Sequence, residues 1–362
     1  MASPASRAFE GPSGEREESS PLSTTDREVL VFSPSPRQRS KFTFDSIPTY
    51  LFRLYAPCTA GTTTTTEVIS PAWGQVGNHK KDLFRLPPEE AASRLYDHLR
   101  WVVRHEDRCN LMSWSSSLLF VLQYGLYRYR TDHDKPSLSE IHLLMLDTRQ
   151  FPEGTFLRDL EAIDEFQKHS ADLAGIKTWR MSDKYFGEYL TQGRLNVDGQ
   201  CSQTSMQQLI DMGLFTLCPA LGITGEWTRW AIPVVNIRND FDGPAISIDR
   251  KNVRSAITMA QAYLGDRLAL PFAVMLLSLQ HRQHDDETIL GGFRAMFTDD
   301  EFEALDLGGM KFDVESGRLA ELNQYREMML AINRHVRGTE VVEALYSIRK
   351  LTIGHYVGFA DE

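Results

Sequence analysis

Residues 111–129, LMSWSSSLLFVLQYGLYRY, restrict the fold of this chain more than any other segment. A cluster of small hydroxyl side chains is followed at once by an apolar run that begins at Leu118. Serine is a good N-cap because its side-chain oxygen accepts a hydrogen bond from an unpaired backbone N–H at the start of a helix. Leu118, Leu122 and Leu126 then recur at helical spacing. The pattern predicts that one element ends in the serine cluster and that a capped, buried helix begins there.

The composition is that of a globular protein and excludes several classes of partner. The chain has 362 residues, of which 42% are hydrophobic and 24% charged, which is enough for two domains with a sizeable core. Its net charge of −10 argues against a broad basic surface for nucleic acid. The four cysteines include no C-x-x-C pair, so the sequence does not indicate a zinc site.

Neither a signal peptide nor a transmembrane segment is indicated. The first residues contain no apolar core of the kind that a secretory signal needs. The longest late apolar run, residues 268–279, is interrupted by Pro271 and is too short to cross a bilayer. We therefore expect a soluble protein of the cytoplasm or nucleus with no membrane partner.

Composition divides the chain into three parts. Residues 1–41 are rich in Ser, Pro, Glu and Arg and should form a disordered tail, because such a segment buries too little apolar surface to offset its ordering entropy. Within it, the apolar residues 29–32 are either a docking segment or part of a tail without a role. A shift in composition near residue 200 predicts a boundary between an N-terminal domain, 42–200, and a mostly helical region, 201–362.

Within the helical region, two short segments and one kink stand out. Residues 230–236 and 245–248 have the composition of short strands. Residues 253–280 have helical periodicity, and Pro271 is expected to end or kink that helix because proline lacks a backbone N–H.

Arg53 lies in a predicted strand over residues 50–55, YLFRLY. Alternation places it on one face with largely apolar side chains, and an unpaired buried charge is costly. Arg53 therefore either pairs with a carboxylate inside the sheet or faces a phosphate or carboxylate ligand, whose geometry its planar guanidinium matches.

His98 and Glu188 also stand out. His98 follows the apolar face of a predicted helix, where a single histidine is usually a hydrogen-bonded core residue. Glu188 has aromatic residues on both sides in the sequence KYFGEYL. It therefore either lies at a strand end in water or is partly buried because it has a functional role. A surface position is the usual one for a glutamate.

Taken together, these fragments resemble the ADP-ribosyltransferase toxins of the cholera and pertussis type. The order of an aromatic-Arg strand, a helix with a His, a Ser-x-Ser strand and a final Glu is the same. The fragments are Leu51-Phe52-Arg53-Leu54-Tyr55, Pro71-Ala72-Trp73-Gly74, Leu95-Tyr96-Asp97-His98, Ser113-Trp114-Ser115 and Gly187-Glu188-Tyr189-Leu190. The resemblance covers roughly residues 42–196. The whole chain also resembles an uncharacterised domain family of filamentous fungi.

The resemblance implies an α+β fold for the N-terminal domain, with a split, mainly antiparallel sheet and small helices. It implies a site for NAD as substrate, with no bound metal. Glu188, Arg53 and Ser113 would be the catalytic residues. The NAD-binding residues would be Arg53, His98, Ser113, Ser115 and Tyr189. In this assignment Glu188 stabilises an oxocarbenium-like transition state, Arg53 holds a phosphate, and Ser113 keeps Arg53 and Glu188 in register.

The sequence departs from that family at two positions. Trp114 replaces the threonine of the Ser-Thr-Ser motif, and its large side chain must point away from the site. Phe186 stands two residues before Glu188, where the toxins have Glu or Gln. Phenylalanine cannot hydrogen-bond an acceptor guanidinium, so hydrolysis of NAD or a different acceptor is favoured over transfer to arginine.

Two hypotheses of different classes follow. In the first, the protein consumes NAD, either as a mono-ADP-ribosyltransferase with an unidentified protein acceptor or as an NAD glycohydrolase. In the second, the same scaffold is a non-catalytic interaction module whose helical region docks a partner. A Rossmann site is not indicated, since the chain has no G-x-G-x-x-G sequence.

Overall fold

The computed structural model describes residues 29–73, 81–102 and 108–357, with side chains as far as residue 338. The predicted α+β class is confirmed, with an antiparallel sheet and a helical C-terminal region. Within these residues no helix combines the length and the apolar character needed to cross a bilayer.

The central sheet has six strands in the order β6-β7-β4-β1-β5-β9, and a smaller sheet has the order β2-β3-β8. The strands are β1 Tyr50–Tyr55, β2 Thr62–Thr63, β3 Glu67–Ile69, β4 Leu111–Ser115, β5 His142–Asp147, β6 Leu157–Arg158, β7 Glu188–Gln192, β8 Arg194–Asn196 and β9 Cys201–Ser205.

The helices lie mostly after the sheet in the chain. Their bounds are α1 Pro36–Arg39, α2 Pro88–Leu99, α3 Leu118–Thr131, α4 Asp159–Phe166, α5 Ala171–Arg180, α6 Met206–Asp211, α7 Leu214–Leu217, α8 Ile232–Asn239, α9 Arg250–Leu277, α10 Glu287–Met296, α11 Asp299–Ala304 and α12 Ala320–Val357.

The central sheet is almost divided between β1 and β4. β1 pairs with β5 along its whole length, from Tyr50 to Tyr55. It pairs with β4 only where Phe52 lies opposite Ser115. β4 in turn pairs with β7 from Leu111 to Ser115. The two halves of the sheet therefore separate beside the serine cluster, and the strands there have backbone and side-chain groups available for other contacts.

The serine cluster folds as its sequence predicts. β4 ends at Ser115 and α3 begins at Leu118. The Ser117 side chain caps α3 by accepting a hydrogen bond from the Phe120 N–H at 3.1 Å. α3 is buried along most of its length because it lies between the sheet and the helical region.

The helical region and the sheet share one apolar core. The rings of Phe52 in β1 and Phe272 in α9 lie 6.5 Å apart, and both belong to the same buried cluster as Leu122 of α3. β9, which the predicted boundary at residue 200 assigns to the helical region, is an edge strand of the central sheet. The change in composition near residue 200 therefore does not coincide with the end of the sheet.

Two carboxylates of the C-terminal region bind the serine cluster. The Ser116 hydroxyl donates to Asp313 at 2.5 Å, and the Ser117 hydroxyl donates to Glu321 at 2.5 Å. Arg238 of α8 forms a buried ion pair with Glu321 at 2.7 Å. The turn between β4 and α3 is consequently fixed by residues far away in the sequence.

The prediction of a disordered tail over residues 1–41 is wrong for residues 29–41. Phe32 is buried, and its backbone N–H donates to the Gly154 carbonyl at 2.8 Å. Its ring meets Phe84 edge-on at 6.2 Å. The apolar side chains of this segment are thus covered by the folded domain. Residues 1–28 lie outside the described residues.

Three expectations for the helical region also need correction. Residues 232–236 belong to α8 and not to a strand, and Pro233 is in its first turn, where a missing N–H costs nothing. Residues 245–248 are irregular. The break in α9 lies at Gly265, with φ +68°, and not at Pro271, because glycine alone adopts this conformation without strain.

We predict that Glu321→Gln lowers the free energy of unfolding by about 3–5 kcal/mol, because it leaves the buried Arg238 without a countercharge. Replacing both partners by apolar side chains, Arg238→Met with Glu321→Leu, should recover most of the lost free energy of unfolding. Urea denaturation followed by tryptophan fluorescence measures both effects. Glu303→Gln, at an exposed position of α11, is the control, and a Glu321→Gln variant as stable as this control would contradict the prediction.

Candidate functional site

A cavity of about 280 Å³ opens where β1 and β4 separate, close to the lower end of the size range of small-molecule sites. Its wall combines side chains from β1, β4 and β7 with side chains from α2 and α3. The predicted site residues that line it are Arg53, His98, Ser113, Ser115 and Glu188. The separation of the sheet therefore brings together residues that are up to 135 positions apart in the sequence (188 − 53).

Arg53 is a buried cation in the wall of this cavity, and 7% of the residue is exposed. Its guanidinium donates to the Thr63 hydroxyl at 3.0 Å and to the backbone carbonyl of Ser113 at 2.9 Å. No carboxylate among the described residues lies within ion-pair distance of it. Burial, and then the charge of Arg128, lower the pKa of Arg53 to about 10. The in-sheet Arg–carboxylate pair is thus not formed in the described part of the chain.

Ser113 connects Arg53 to His98. Its carbonyl accepts from Arg53, and its hydroxyl lies 2.8 Å from Nε2 of His98. The other ring nitrogen of His98, Nδ1, lies 3.0 Å from Sγ of Cys109. Burial, together with the charges of Arg53 and Arg180, lowers the pKa of His98 to about 3. His98 is therefore a neutral imidazole at physiological pH.

Ser115 and Glu188 are neighbours across the sheet. They lie opposite each other in the β4–β7 register, and Phe52 lies opposite Ser115 in β1, so the three side chains leave the same face. The Ser115 hydroxyl donates to the Phe186 carbonyl at 2.6 Å. Gly187 lies between Phe186 and Glu188 in the chain and has φ +63°. A Cβ atom at this position would lie 1.9 Å from Oγ of Ser116. Glycine is required at this position to bring the chain into β7.

The Glu188 carboxylate is buried and forms an ion pair with Arg180 at the end of α5. Arg180 also lies 3.1 Å from Asp159 of α4. One guanidinium is thus shared by two buried carboxylates. Burial raises the pKa of Asp159 to about 7, opposed by Arg180 and reinforced by Glu188. The predicted contact of Ser113 with Glu188 is absent, since the Ser113 hydroxyl pairs with His98 instead.

Aromatic rings form the wall beside Glu188. Phe186 stacks on Phe120 with 4.0 Å between ring centroids, and the Arg180 guanidinium lies over the Phe186 ring at 4.3 Å. At the mouth of the cavity, Trp101 stacks on Tyr124 at 5.5 Å. Trp101 is half exposed and has φ +52°, a conformation that costs a bulky residue free energy and is concentrated at functional sites.

Tyr189 is not among the residues that line the cavity, so the structure does not bring it together with the other predicted site residues. Successive side chains of a strand point to opposite faces, so Tyr189 lies on the face opposite Glu188. It is buried there opposite Trp114. Trp114 donates from its indole nitrogen to the Thr191 hydroxyl at 2.9 Å. It is nevertheless one of the residues that line the cavity, and the Arg53 guanidinium lies 6.0 Å from its ring centroid.

Cys58, Asp132 and Asp134 lie near the rim of the cavity with ligand atoms within 4.8 Å of one another. Arg128 already occupies this cluster, since it donates to Oδ2 of Asp132 and to Sγ of Cys58, each at 2.7 Å. A guanidinium in this position competes with a metal cation. The geometry therefore favours an ion-pair cluster over a metal site.

Sequence reasoning did not identify three of the groups at or behind the site, namely Arg180, Asp159 and Cys109. Their contacts depend on how α4 and α5 pack against the sheet and on loop geometry, so no local spacing could identify them.

A family model described as a domain of unknown function (DUF7587) is similar to this chain over residues 46–198. This range contains every predicted site residue, and it ends before β9 and the helical region. No curated protein and no solved structure matches the chain.

We predict that the raised pKa of Asp159 makes the protein less stable as the pH increases from about 4 to about 7. In this window the folded state holds a proton on Asp159 that the unfolded chain has already released. The contribution to stability is therefore complete below the pKa that Asp159 has in the unfolded chain, and it is lost as the pH rises through the pKa that Asp159 has in the folded protein. Asp159→Asn should remove this contribution.

The measurement is the free energy of unfolding of both proteins across that pH range, taken as a difference so that other groups cancel. Asp164→Asn, at an exposed position of the same helix, serves as the control. A difference between wild type and Asp159→Asn that stays constant with pH would contradict the prediction.

Proposed function

We propose that the cavity binds NAD and that the protein cleaves its nicotinamide–ribose bond, as an ADP-ribosyltransferase or an NAD glycohydrolase. The observation that carries the proposal is the convergence of Arg53, Ser113 and Glu188 on one cavity. These residues are distant in sequence, and each has a chemical role in this reaction. An arrangement of only structural origin would not require the three to face the same space.

Arg53 supplies the binding site for a phosphate group of NAD. A buried guanidinium without a carboxylate partner attracts an anion strongly, because the surrounding protein screens its charge less than water does. Its planar donors match phosphate oxygens. Ser113 and Thr63 hold the guanidinium from behind, so its orientation is set before a ligand arrives.

Glu188 supplies the negative charge that the reaction needs. As the bond between the ribose and nicotinamide breaks, nicotinamide leaves with the electron pair and positive charge develops on the ribose. A carboxylate fixed beside the ribose lowers the energy of that state. Water or another acceptor then bonds to the anomeric carbon and releases a proton, which Glu188 accepts.

The ion pair with Arg180 limits what Glu188 can do. Asp159 lies 3.1 Å from Arg180, and because its pKa is raised to about 7 it becomes a second countercharge as the pH rises past that value. A shift of the guanidinium towards the ionised Asp159 would then free Glu188 without leaving Arg180 unpaired. Phe186 lies under the same guanidinium and cannot hydrogen-bond an acceptor. Water is therefore the acceptor that this site favours, which makes NAD hydrolysis the preferred form of the reaction.

A second candidate function is a non-catalytic module that binds an ADP-ribose-like ligand. The buried Arg180–Glu188 pair favours it, because a carboxylate whose charge is already compensated stabilises a ribosyl cation poorly. In this alternative Arg53 still binds an anion, and Glu188 is structural.

We predict that Glu188→Gln lowers the rate of nicotinamide release from NAD by about 10²–10³-fold, the usual effect of removing one fixed electrostatic group. Chromatographic measurement of free nicotinamide gives the rate. The control is Glu165→Gln, which removes another buried carboxylate of the same domain outside the cavity. Release that survives Glu188→Gln would show that the reaction takes place elsewhere.

We predict that the wild-type protein binds ADP-ribose and that Arg53→Met weakens this binding by about 10–100-fold through loss of charge-assisted hydrogen bonds. Titration calorimetry measures the affinity, with Arg194→Met in the smaller sheet as the control. Binding without nicotinamide release would favour the non-catalytic module. A protein that neither binds ADP-ribose nor releases nicotinamide would overturn both candidates.

A further inference from the structure

Arg180 lies between two buried carboxylates and hydrogen-bonds one of them. Its Nη2 donates to Glu188. Its Nε lies 3.1 Å from Oδ2 of Asp159, yet neither of these two atoms has a hydrogen-bond partner among the described residues. The three side chains are at most 2% exposed. One buried guanidinium thus lies within reach of two carboxylates, and its contact with Asp159 is not yet an aligned hydrogen bond.

Aromatic rings stabilise the Arg180 guanidinium whichever carboxylate it contacts. It lies over the ring of Phe186 at 4.3 Å and over that of Trp179 at 5.2 Å. Contacts of this kind attract a cation to the face of a ring and use none of its N–H donors. The N–H groups of Arg180 are therefore able to change partners while the rings continue to stabilise its charge.

The other titratable groups around Asp159 keep a constant charge near neutral pH. Tyr185 donates its hydroxyl to Oδ1 of Asp159 at 3.1 Å, and burial raises the pKa of this phenol and of Tyr189 well above the ordinary value. Both phenols are therefore neutral. Besides Arg180 and Glu188, the charged and titratable neighbours are Tyr185 and Tyr189, Arg158 of β6 with its partner Glu315, and the neutral His98 of α2, which faces Arg180.

The protonation state of Asp159 sets the net charge beside the cavity. With Asp159 protonated, Arg180 and Glu188 compensate each other and the group of three is neutral. With Asp159 ionised, two carboxylates share one guanidinium, and the group carries one net negative charge. Burial, opposed by Arg180 and reinforced by Glu188, raises the pKa of Asp159 to about 7. The change in charge therefore occurs near neutral pH, in a buried place where water screens it weakly.

We propose that Asp159 is a positioning residue of the site, which takes Arg180 when it is ionised and so leaves the Glu188 carboxylate free to stabilise the ribosyl cation. This inference rests on the proposed cleavage of NAD. Asp159 is not among the residues that line the cavity, so it acts through Arg180 and not on the substrate. The proton that Asp159 releases passes to solvent. In the acidic form the Arg180–Glu188 pair is consequently an inhibitory contact.

The pH dependence of nicotinamide release tests the proposal. We expect kcat of the wild-type protein to rise about tenfold from about pH 6 to about pH 8, which is part of the effect of one fixed electrostatic group. KM for NAD should stay constant, because Arg53 holds the phosphate in both forms. Asp159→Asn should keep the low kcat at every pH. Asp164→Asn, at an exposed position of α4, is the matched control and should keep the wild-type profile.

A second measurement on the wild-type protein needs no catalysis. The carbon-13 resonance of Cζ of Arg180, assigned by its loss in Arg180→Lys, should shift with a midpoint at about pH 7 as the guanidinium changes partners. In Asp159→Asn the same resonance should not titrate. This readout follows the exchange of Arg180 directly, so that a general loss of stability does not imitate it.

The proposal is overturned if the Cζ resonance of Arg180 does not titrate in the wild-type protein. It is also overturned if kcat of Asp159→Asn rises with pH as much as kcat of the wild type. If the resonance titrates and nicotinamide is released at no pH, the exchange of Arg180 is confirmed, and the proposed cleavage of NAD is what fails.

Discussion

The burial of the Arg53 guanidinium is the constraint on which the rest of the site depends. A charge removed from water must be compensated, and within the described part of the chain the Thr63 hydroxyl and the Ser113 carbonyl do so, with no carboxylate in contact. That carbonyl is available because β1 and β4 form only one residue pair. The incomplete pairing of the sheet and the hydrogen bonding of Arg53 to neutral groups are thus two aspects of the same arrangement, and the cavity lies where they meet.

The helical region contributes to this arrangement from behind the sheet. Asp313 and Glu321 hold Ser116 and Ser117, which immediately follow the two cavity serines. The Arg238 guanidinium pairs with the Glu321 carboxylate. It also donates to the Tyr185 carbonyl at 2.6 Å, close to the turn that leads into Glu188. The C-terminal region therefore fixes the ends of β4 and β7 in relation to each other, so that it determines the site without lining it.

Local chemistry made part of this structure predictable. The Ser117 cap, the helix α3 and the strand that contains Arg53 all follow from residues that are close in sequence. The position of Tyr189 also could have been predicted, because strand alternation alone places it opposite Glu188. The Arg180–Glu188 pair could not, since it depends on how α5 packs against the sheet. The packing of residues 29–41 against the domain could not be predicted either. Four apolar residues in a polar segment have the same sequence pattern whether or not the folded domain covers them.

The balance of charge within the cavity explains how an acidic protein can present a site for an anion. The chain carries a net charge of −10, yet the guanidiniums of Arg53 and Arg128 line the cavity and that of Arg180 pairs with Glu188 in its wall. Arg128 is compensated by Asp132 and Arg180 by Glu188, so among the described residues that line the cavity the positive potential is concentrated at Arg53. A small anion that enters experiences this one charge at short range, whereas the net negative charge of the chain disfavours a long polyanion. Burial, together with the charges of Arg53 and Arg180, also lowers the pKa of His98, so the imidazole adds no positive charge of its own.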